Sequence, residues 1–332
     1  MKKIFLVLLS SLILFGSCKA VSSKKMSVAV FIPGICADSP TYAMLRDGVI
    51  RAIDDYNTGK EPESKTLLYV LEAGTNQSEW PAKITALAAE QKYDVIISSN
   101  PSLPEIVEPI IQQFPAQKFI LLDAECSGNS NICTVCYNQY EQSYLTGYIA
   151  ALMSKSNKLG LIAAQEYPVM NNIIYPYFEK GAKAANNLAS VDFRIVGNWY
   201  DASKGAMLAD VLYQSGVDVI LPICGGASQG VINSAVNNNF YITWFDNNGF
   251  DKAPGNIISS TVMKQEELAF LMTTEFLKGK TSWGTAKMLG VKEGYVDFVQ
   301  DDPLYESTVP ADIRGKMAGL VDDIKSGKKE IK

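Results

Sequence analysis

Between residues 28 and 263, short continuous apolar runs alternate with stretches of helical periodicity. This alternation limits the fold more than any other feature of the chain. Val28–Ile32 precedes a helical pattern over Tyr42–Tyr56, and Leu67–Leu71 precedes another over Pro81–Gln91. Asp94–Asn100 precedes a helical pattern over Leu103–Phe114, and Phe119–Asp123 closes the series. A strand that is apolar on both faces needs cover on both faces, so these runs predict a parallel sheet flanked by helices. The pattern restarts with a helix over Gln142–Ser154 and strands at Leu159–Ala163, Phe193–Val196, Val217–Ile223, Tyr241–Phe245 and Ile257–Met263. Helical patterns at Asn172–Asn187, Lys204–Ser215, Ser228–Asn238 and Gln265–Lys278 separate or follow them. Asp94-Val95-Ile96 and Asp218-Val219-Ile220 open strands in the two halves, each followed by small polar residues and a helix. Two similar α/β lobes are the simplest reading, and a length of 332 residues suits two domains.

The head of the chain is a targeting signal. Lys2 and Lys3 precede an apolar run from Ile4 to Phe15, and Gly16-Ser17-Cys18 follows. The run is too short to span a bilayer comfortably. A cysteine directly after small residues resembles a bacterial lipoprotein box, although Phe15 replaces the usual leucine. That resemblance implies cleavage after residue 17 and lipidation of Cys18. Residues 18–26 would then be a short polar tether, and the body would be held at a cell-envelope membrane by acyl chains. Cys36, Cys126, Cys133, Cys136 and Cys224 remain, an odd number. Cys133 and Cys136 have CxxC spacing but lie in a strand-like run, where positions three apart point to opposite faces. A bridge from Cys126 to either is compatible with an envelope protein; burial as small apolar residues is the default.

The chain contains no histidine. Ser-His-Asp and Cys-His catalysis, His-ligated metal sites and histidine pH sensing are therefore excluded. With a net charge of −5 and no basic stripe, the chain is a poor nucleic-acid binder. No GxxxxGK[ST] phosphate loop is present, and no cofactor motif or metal-binding pattern stands out; Gly225-Gly226 followed by Gly230 is a weak glycine cluster.

Ligands of open α/β sheets bind beyond the carboxyl ends of the strands. Those ends carry Asp38 and Tyr42, Ser98 to Asn100, and Asp123 in the first half. In the second half they carry Trp199 and Tyr200, Gly225 and Gly226, Asp246 to Asn248, and Lys264. Aromatic faces stack on planar rings, carboxylates accept bonds from hydroxyl or ring N–H groups, and glycine lets backbone N–H groups approach. No nucleophile–base pair is evident among them. Such a set binds without titrating near neutrality, so affinity is expected to be nearly flat from roughly pH 6 to 8.

Six blocks in order resemble the basic membrane protein family, the PnrA-like purine nucleoside receptor lipoproteins of ABC importers. Glu141-Gln142-Ser143-Tyr144-Leu145-Thr146-Gly147-Tyr148 is similar to its "EGSFLAGY" block. Leu159–Ala164 resembles "KVGFIGG", and Gly197–Gly205 resembles "GSFxDxxKG". Gly216–Ile220 with Gly225-Gly226 resembles "GADVIFxxAGG". Trp244-Phe245-Asp246 and then Met263-Lys264 resemble the later "IGVDxD" and "SxxK".

The resemblance implies a type I periplasmic-binding-protein fold, two Rossmann-like lobes joined by a hinge, with a nucleoside between them. It implies that Trp199 stacks on the base, with Tyr42 as second aromatic. Asp123 and Asp246 would hold base and ribose, with Lys264 as the lysine and Gly225 as a backbone contact. Asp38 and Asn100 complete the expected set. The first loop, Ile32–Tyr42, departs from the family's "TDxGxxDDxSFNQ", so one wall of the pocket differs. The expected lobes are residues 27–137 with 256–285, and 138–255 with 286–332. The implied partners are a small-molecule ligand, an ABC permease and the membrane. The alternatives are a sensing or adhesion lipoprotein of the same fold, and a hydrolase using Asp38 and Asp246. The second is disfavoured because no dense aspartate run is present to hold calcium.

Overall fold

The central strands Ser27–Ile32, Phe119–Leu122 and Val219–Ile223 form where apolar residues run without interruption. A computed structural model describes residues 25–331. β1 (Ser27–Ile32) leads to α1 (Pro40–Asn57), β2 (Leu67–Glu72) to α2 (Trp80–Ala89), and β3 (Val95–Ser99) to α3 (Leu103–Gln113). β4 (Phe119–Leu122) and β5 (Ile132–Tyr137) complete the first half. The second half opens with α4 (Gln139–Met153), β6 (Lys158–Ala163), α5 (Tyr175–Ala185) and β7 (Ser190–Ile195). It continues through α6 (Ala202–Gln214), β8 (Val219–Ile223), α7 (Ser228–Asn238), β9 (Tyr241–Asp246), β10 (Ile257–Met263) and α8 (Gln265–Leu277). The tail adds β11 (Ala286–Leu289), β12 (Val296–Phe298), α9 (Pro303–Thr308) and α10 (Ala311–Lys325).

The strand orders are β11-β5-β4-β3-β1-β2 and β12-β10-β9-β8-β6-β7. Place by place these are one order, so β4 corresponds to β9 and β3 to β8. All pairings are parallel except β10 with β12. β1 shows why its run is wholly apolar: Val28, Val30 and Ile32 enter one buried cluster, while Ala29 and Phe31 enter the other. The repeated Asp-Val-Ile has a structural job. Asp94 accepts the backbone N–H of Ser27, the first residue of β1, at 2.9 Å. Asp218 accepts those of Lys155 and Ser156 at 2.7 and 2.9 Å, before the corresponding β6.

The lobe boundaries differ from the expected ones. β10 lies in the second sheet, so residues 257–263 belong to the second lobe and not to the first. β11 joins the first sheet, so residues 286–289 belong to the first lobe. The chain thus crosses between sheets after Tyr137, after Met263 and between Leu289 and Val296. The helix after each of the first two crossings packs in the lobe the chain has just entered: α4 on β8–β10 and α5, α8 on α1 and β4. The crossings are tied to one another. Asn138 N–H donates to Leu289 O at 2.8 Å, and Lys264 N–H to Tyr295 O at 3.0 Å. The buried Glu141 carboxylate accepts Val291 N–H at 2.7 Å.

Cys36, Cys126, Cys133, Cys136 and Cys224 are free thiols, so the Cys126 bridge does not form. The signal segment and Cys18 lie outside the described residues. Among the described residues no helix is long and apolar enough to cross a membrane.

Candidate ligand-binding site

Asp123 and Asp246 follow or end the corresponding strands β4 and β9, and both have left-handed backbone, φ 51° and 72°. A left-handed aspartate is uncommon and costs of order 1–3 kcal/mol, so two at matching positions point to a functional demand. Both carboxylates sit deep while keeping some exposed surface. Burial first, and then the charge of Asp246, pushes Asp123 up to about 8. Burial pushes Asp246 up to about 6, although an amide N–H from Gln142 works the other way. Enclosure thus favours the protonated form of both carboxylates, more strongly for Asp123, which also faces the charge of Asp246. The expectation of a site that does not titrate near neutrality is corrected: enclosure by two lobes moves ordinary aspartates into that window.

Both carboxylates are gripped from one helix turn. Gln139 Nε2 donates to Asp123 Oδ1 at 3.1 Å, and Gln142 Nε2 to Asp246 Oδ1 at 3.2 Å. Asn138 caps this turn by accepting Glu141 N–H at 3.2 Å. Helix α4 packs in the second lobe while Asp123 belongs to the first, so the Gln139 bond joins the lobes.

The aromatic walls come from loops with fixed geometry. Ser39 and Pro40 start α1, with Ser39 Oγ accepting Tyr42 N–H at 3.4 Å, which sets Tyr42 in the first turn. Asn100 Oδ1 accepts from Ser102 N–H and Oγ–H at 3.0 and 2.7 Å, leaving its Nδ2 to donate to Tyr42 Oη at 3.2 Å. Burial pushes the Tyr42 phenol up to about 12, with Asp123 and Tyr200 adding to the rise and Asn100 opposing it. Across the cleft, Asn198 Oδ1 accepts the N–H groups of Tyr200 and Asp201 at 2.9 and 2.8 Å and shapes the turn carrying Trp199. Asp201 caps α6. Gly225 has φ 57°, and a Cβ there would meet Trp199 O at 3.0 Å and the indole at 3.3 Å. Gly225 thus lets the Trp199 turn approach. Trp199 Nε1 is buried without a partner among the described residues, and such a donor costs about 1–3 kcal/mol until something accepts from it.

Of the sequence-predicted residues, Tyr42, Asn100, Asp123, Trp199, Gly225 and Asp246 gather here. Two do not. Asp38 is exposed on the turn before α1. The Lys264 ammonium lies 3.3 Å from Asp297 Oδ2. Neither is among the charges that perturb Asp123 or Asp246. Sequence reasoning missed three residues. Tyr167, in the loop after β6, has its ring 6.4 Å from that of Trp199, and both carboxylates raise its phenol after burial does. Its signal was available, an aromatic just beyond a strand end. Gln139 and Gln142 carry the weaker signal of two amides one turn apart in an apolar helix. Among the described residues no cluster of His, Cys, Asp or Glu could hold a metal ion.

Comparison with known proteins follows the same lines. Basic membrane protein A of Borreliella burgdorferi is 26% identical over 97% of this chain and 94% of its own. The CD4+ T-cell-stimulating antigen of Listeria monocytogenes is 31% identical over 45% of this chain and 42% of its own. An ABC transporter solute-binding protein from Aeropyrum pernix superposes with TM-score 0.77 at 19% identity, covering 92% of each chain. A transcriptional activator of the comK gene from Bacillus halodurans superposes with TM-score 0.72 at 21% identity, over 91% of this chain and 99% of that one. These superpositions show the fold, the type I periplasmic-binding architecture of two parallel-sheet lobes. The family described as ABC transporter substrate-binding protein PnrA-like matches residues 25–330, and the chain belongs to that family.

Proposed function

We propose that this substrate-binding protein is a lipid-anchored receptor that takes a nucleoside between its lobes and presents it to an ABC permease. The observation that carries the ligand class is the pairing of ring faces with carboxylates. Trp199 and Tyr167 lie on the second lobe, Tyr42 on the first, and Asp123 and Asp246 between them. Stacked rings hold a heterocycle, while the carboxylates accept its N–H groups or the sugar hydroxyls. Two acidic side chains at the floor disfavour a phosphorylated ligand, so a nucleoside suits the site better than a nucleotide. Closure of the lobes about the three crossings would bury the ligand. Anchoring at Cys18 follows from the small-residue–cysteine signal after the apolar run.

Thermal shift against purine and pyrimidine nucleosides tests the ligand class. A rise in Tm with at least one nucleoside, absent with its 5′-monophosphate, is expected. No rise with any nucleoside would overturn that class and leave the receptor role in place. Mass spectrometry of the protein from the native membrane tests the anchor: a diacylglyceryl group on Cys18 as the first residue is expected.

A further inference from the structure

Beneath Asp246 lies a polar network that a solute-binding cleft does not need for packing. Gln142 is fully buried in α4. Its Nε2 donates to Asp246 Oδ1 at 3.2 Å and to Thr261 O, on β10, at 3.3 Å. Thr146, one turn further along α4, places its hydroxyl 3.0 Å from that of Thr261. Gln142 and Thr146, four residues apart, share one face of α4 and meet in the one network. Gln142 Oε1 has no partner among the described residues. A carboxylate only accepts, so the amide turns its nitrogen to Asp246 even though its own oxygen then goes unpaired.

We propose that Gln142 is a positioning residue for ligand binding, holding the Asp246 carboxylate from behind so that one of its oxygens is fixed and the other is presented to the solute. Gln142 has no accessible surface, so it acts through Asp246 and not on the ligand. With Gln139 on Asp123, the first turn of α4 becomes the common mount for the carboxylates of both lobes. The inference deepens the nucleoside reading above but is testable without it.

The test replaces Gln142 by Met, which keeps length and removes the amide. Asp246 is followed by carbon-detected NMR titration of the ligand-free, unacylated chain from residue 19. The groups that sense Asp246 are Asp123 after β4, Tyr137 at the end of β5 and Tyr167 after β6. All are left in place. An N–H bond favours the ionised carboxylate, so the midpoint of Asp246 is expected to rise in Q142M. An unchanged midpoint in Q142M overturns the proposal. Affinity for guanosine and inosine gives the second arm. Q142M is expected to weaken binding about tenfold, and Q142M in a D246A background, where no side-chain acceptor is left, to add less than about twofold. An equal loss in both backgrounds means that Gln142 acts through packing and overturns the proposal. A raised Asp246 midpoint in a protein that binds neither nucleoside supports the mount and removes the nucleoside reading alone. Should Q142M not fold, Q142A, which removes the amide without adding bulk, is titrated in its place, and an Asp246 midpoint unchanged from the wild-type value there overturns the proposal.

Discussion

Asp123 and Asp246 occupy the same place in two sheets of the same strand order, both left-handed, and each lobe contributes one to a shared floor. Their proximity raises Asp123 beyond what burial does alone. With no histidine in the chain, few other groups titrate between pH 6 and 8.

The stability of the ligand-free protein should therefore depend on pH in a stated direction. In the folded chain Asp123 keeps its proton up to about pH 8, whereas unfolded it loses it near its ordinary 3.8. The folded state thus binds more protons across this window, and stability falls as pH rises through it. Asp246 adds to the fall only up to about pH 6. Scanning Tm from pH 5 to 8 should show the decline, and Asp123→Asn should flatten the part between pH 6 and 8. An unchanged slope in the variant would mean that Asp123 does not carry the proton.

Trp199 should carry much of the affinity. Its ring faces Tyr167 across 6.4 Å, and its indole N–H is buried and unpartnered. Trp199→Ala is expected to weaken nucleoside binding tenfold or more, about 1.4 kcal/mol. Trp199→Phe should recover part of the loss, since it restores a ring but not the N–H donor. Calorimetry decides; a change within about threefold in the alanine variant would place the ring outside the site.

Asn100 should act through Tyr42. Its Oδ1 is committed to Ser102 and its Nδ2 to the Tyr42 hydroxyl at 3.2 Å. Asn100→Ala and Tyr42→Phe should each weaken binding about three- to tenfold, and the double variant should lose little more than either alone. Additive losses would show that the two residues act independently.

Gly147 should be sensitive for reasons of packing. A Cβ there would overlap the backbone carbonyl of Phe178, and one at Gly181 would overlap that of Tyr144. The two glycines thus let α4 and α5 approach closely, Gly147 against Phe178 and Gly181 against Tyr144. Gly147→Ala should cost about 1–3 kcal/mol and, by shifting the helix that carries Gln139 and Gln142, reduce affinity as well. Gly315→Ala, at an exposed position of α10, meets nothing within 4 Å and should raise stability by about 0.5–1 kcal/mol. Chemical denaturation of both variants separates the effects.

Much of the architecture is legible along the chain. Continuous apolar strands announce two-faced burial, and the Asp94 and Asp218 echo marks strands that hold the same place in their sheets. The edge strands β11 and β12 are not legible. They are short, and they pair only because the third crossing lays them beside β5 and β10. For the same reason the lobe to which Ile257–Met263 belongs could not be read from order alone.

The sequence by itself determined what the chain is made to do locally: which runs become strands, which residues stand at strand ends, and that no histidine chemistry is present. Tertiary structure alone decided which strand ends meet. It set Asp38 in solvent, paired Lys264 with Asp297, and brought Tyr167, Gln139 and Gln142 to the carboxylates. It also decided the protonation of Asp123 and Asp246. An aspartate's affinity for a proton is set by the water it loses and the charge it faces, and both are properties of two lobes closing on one floor.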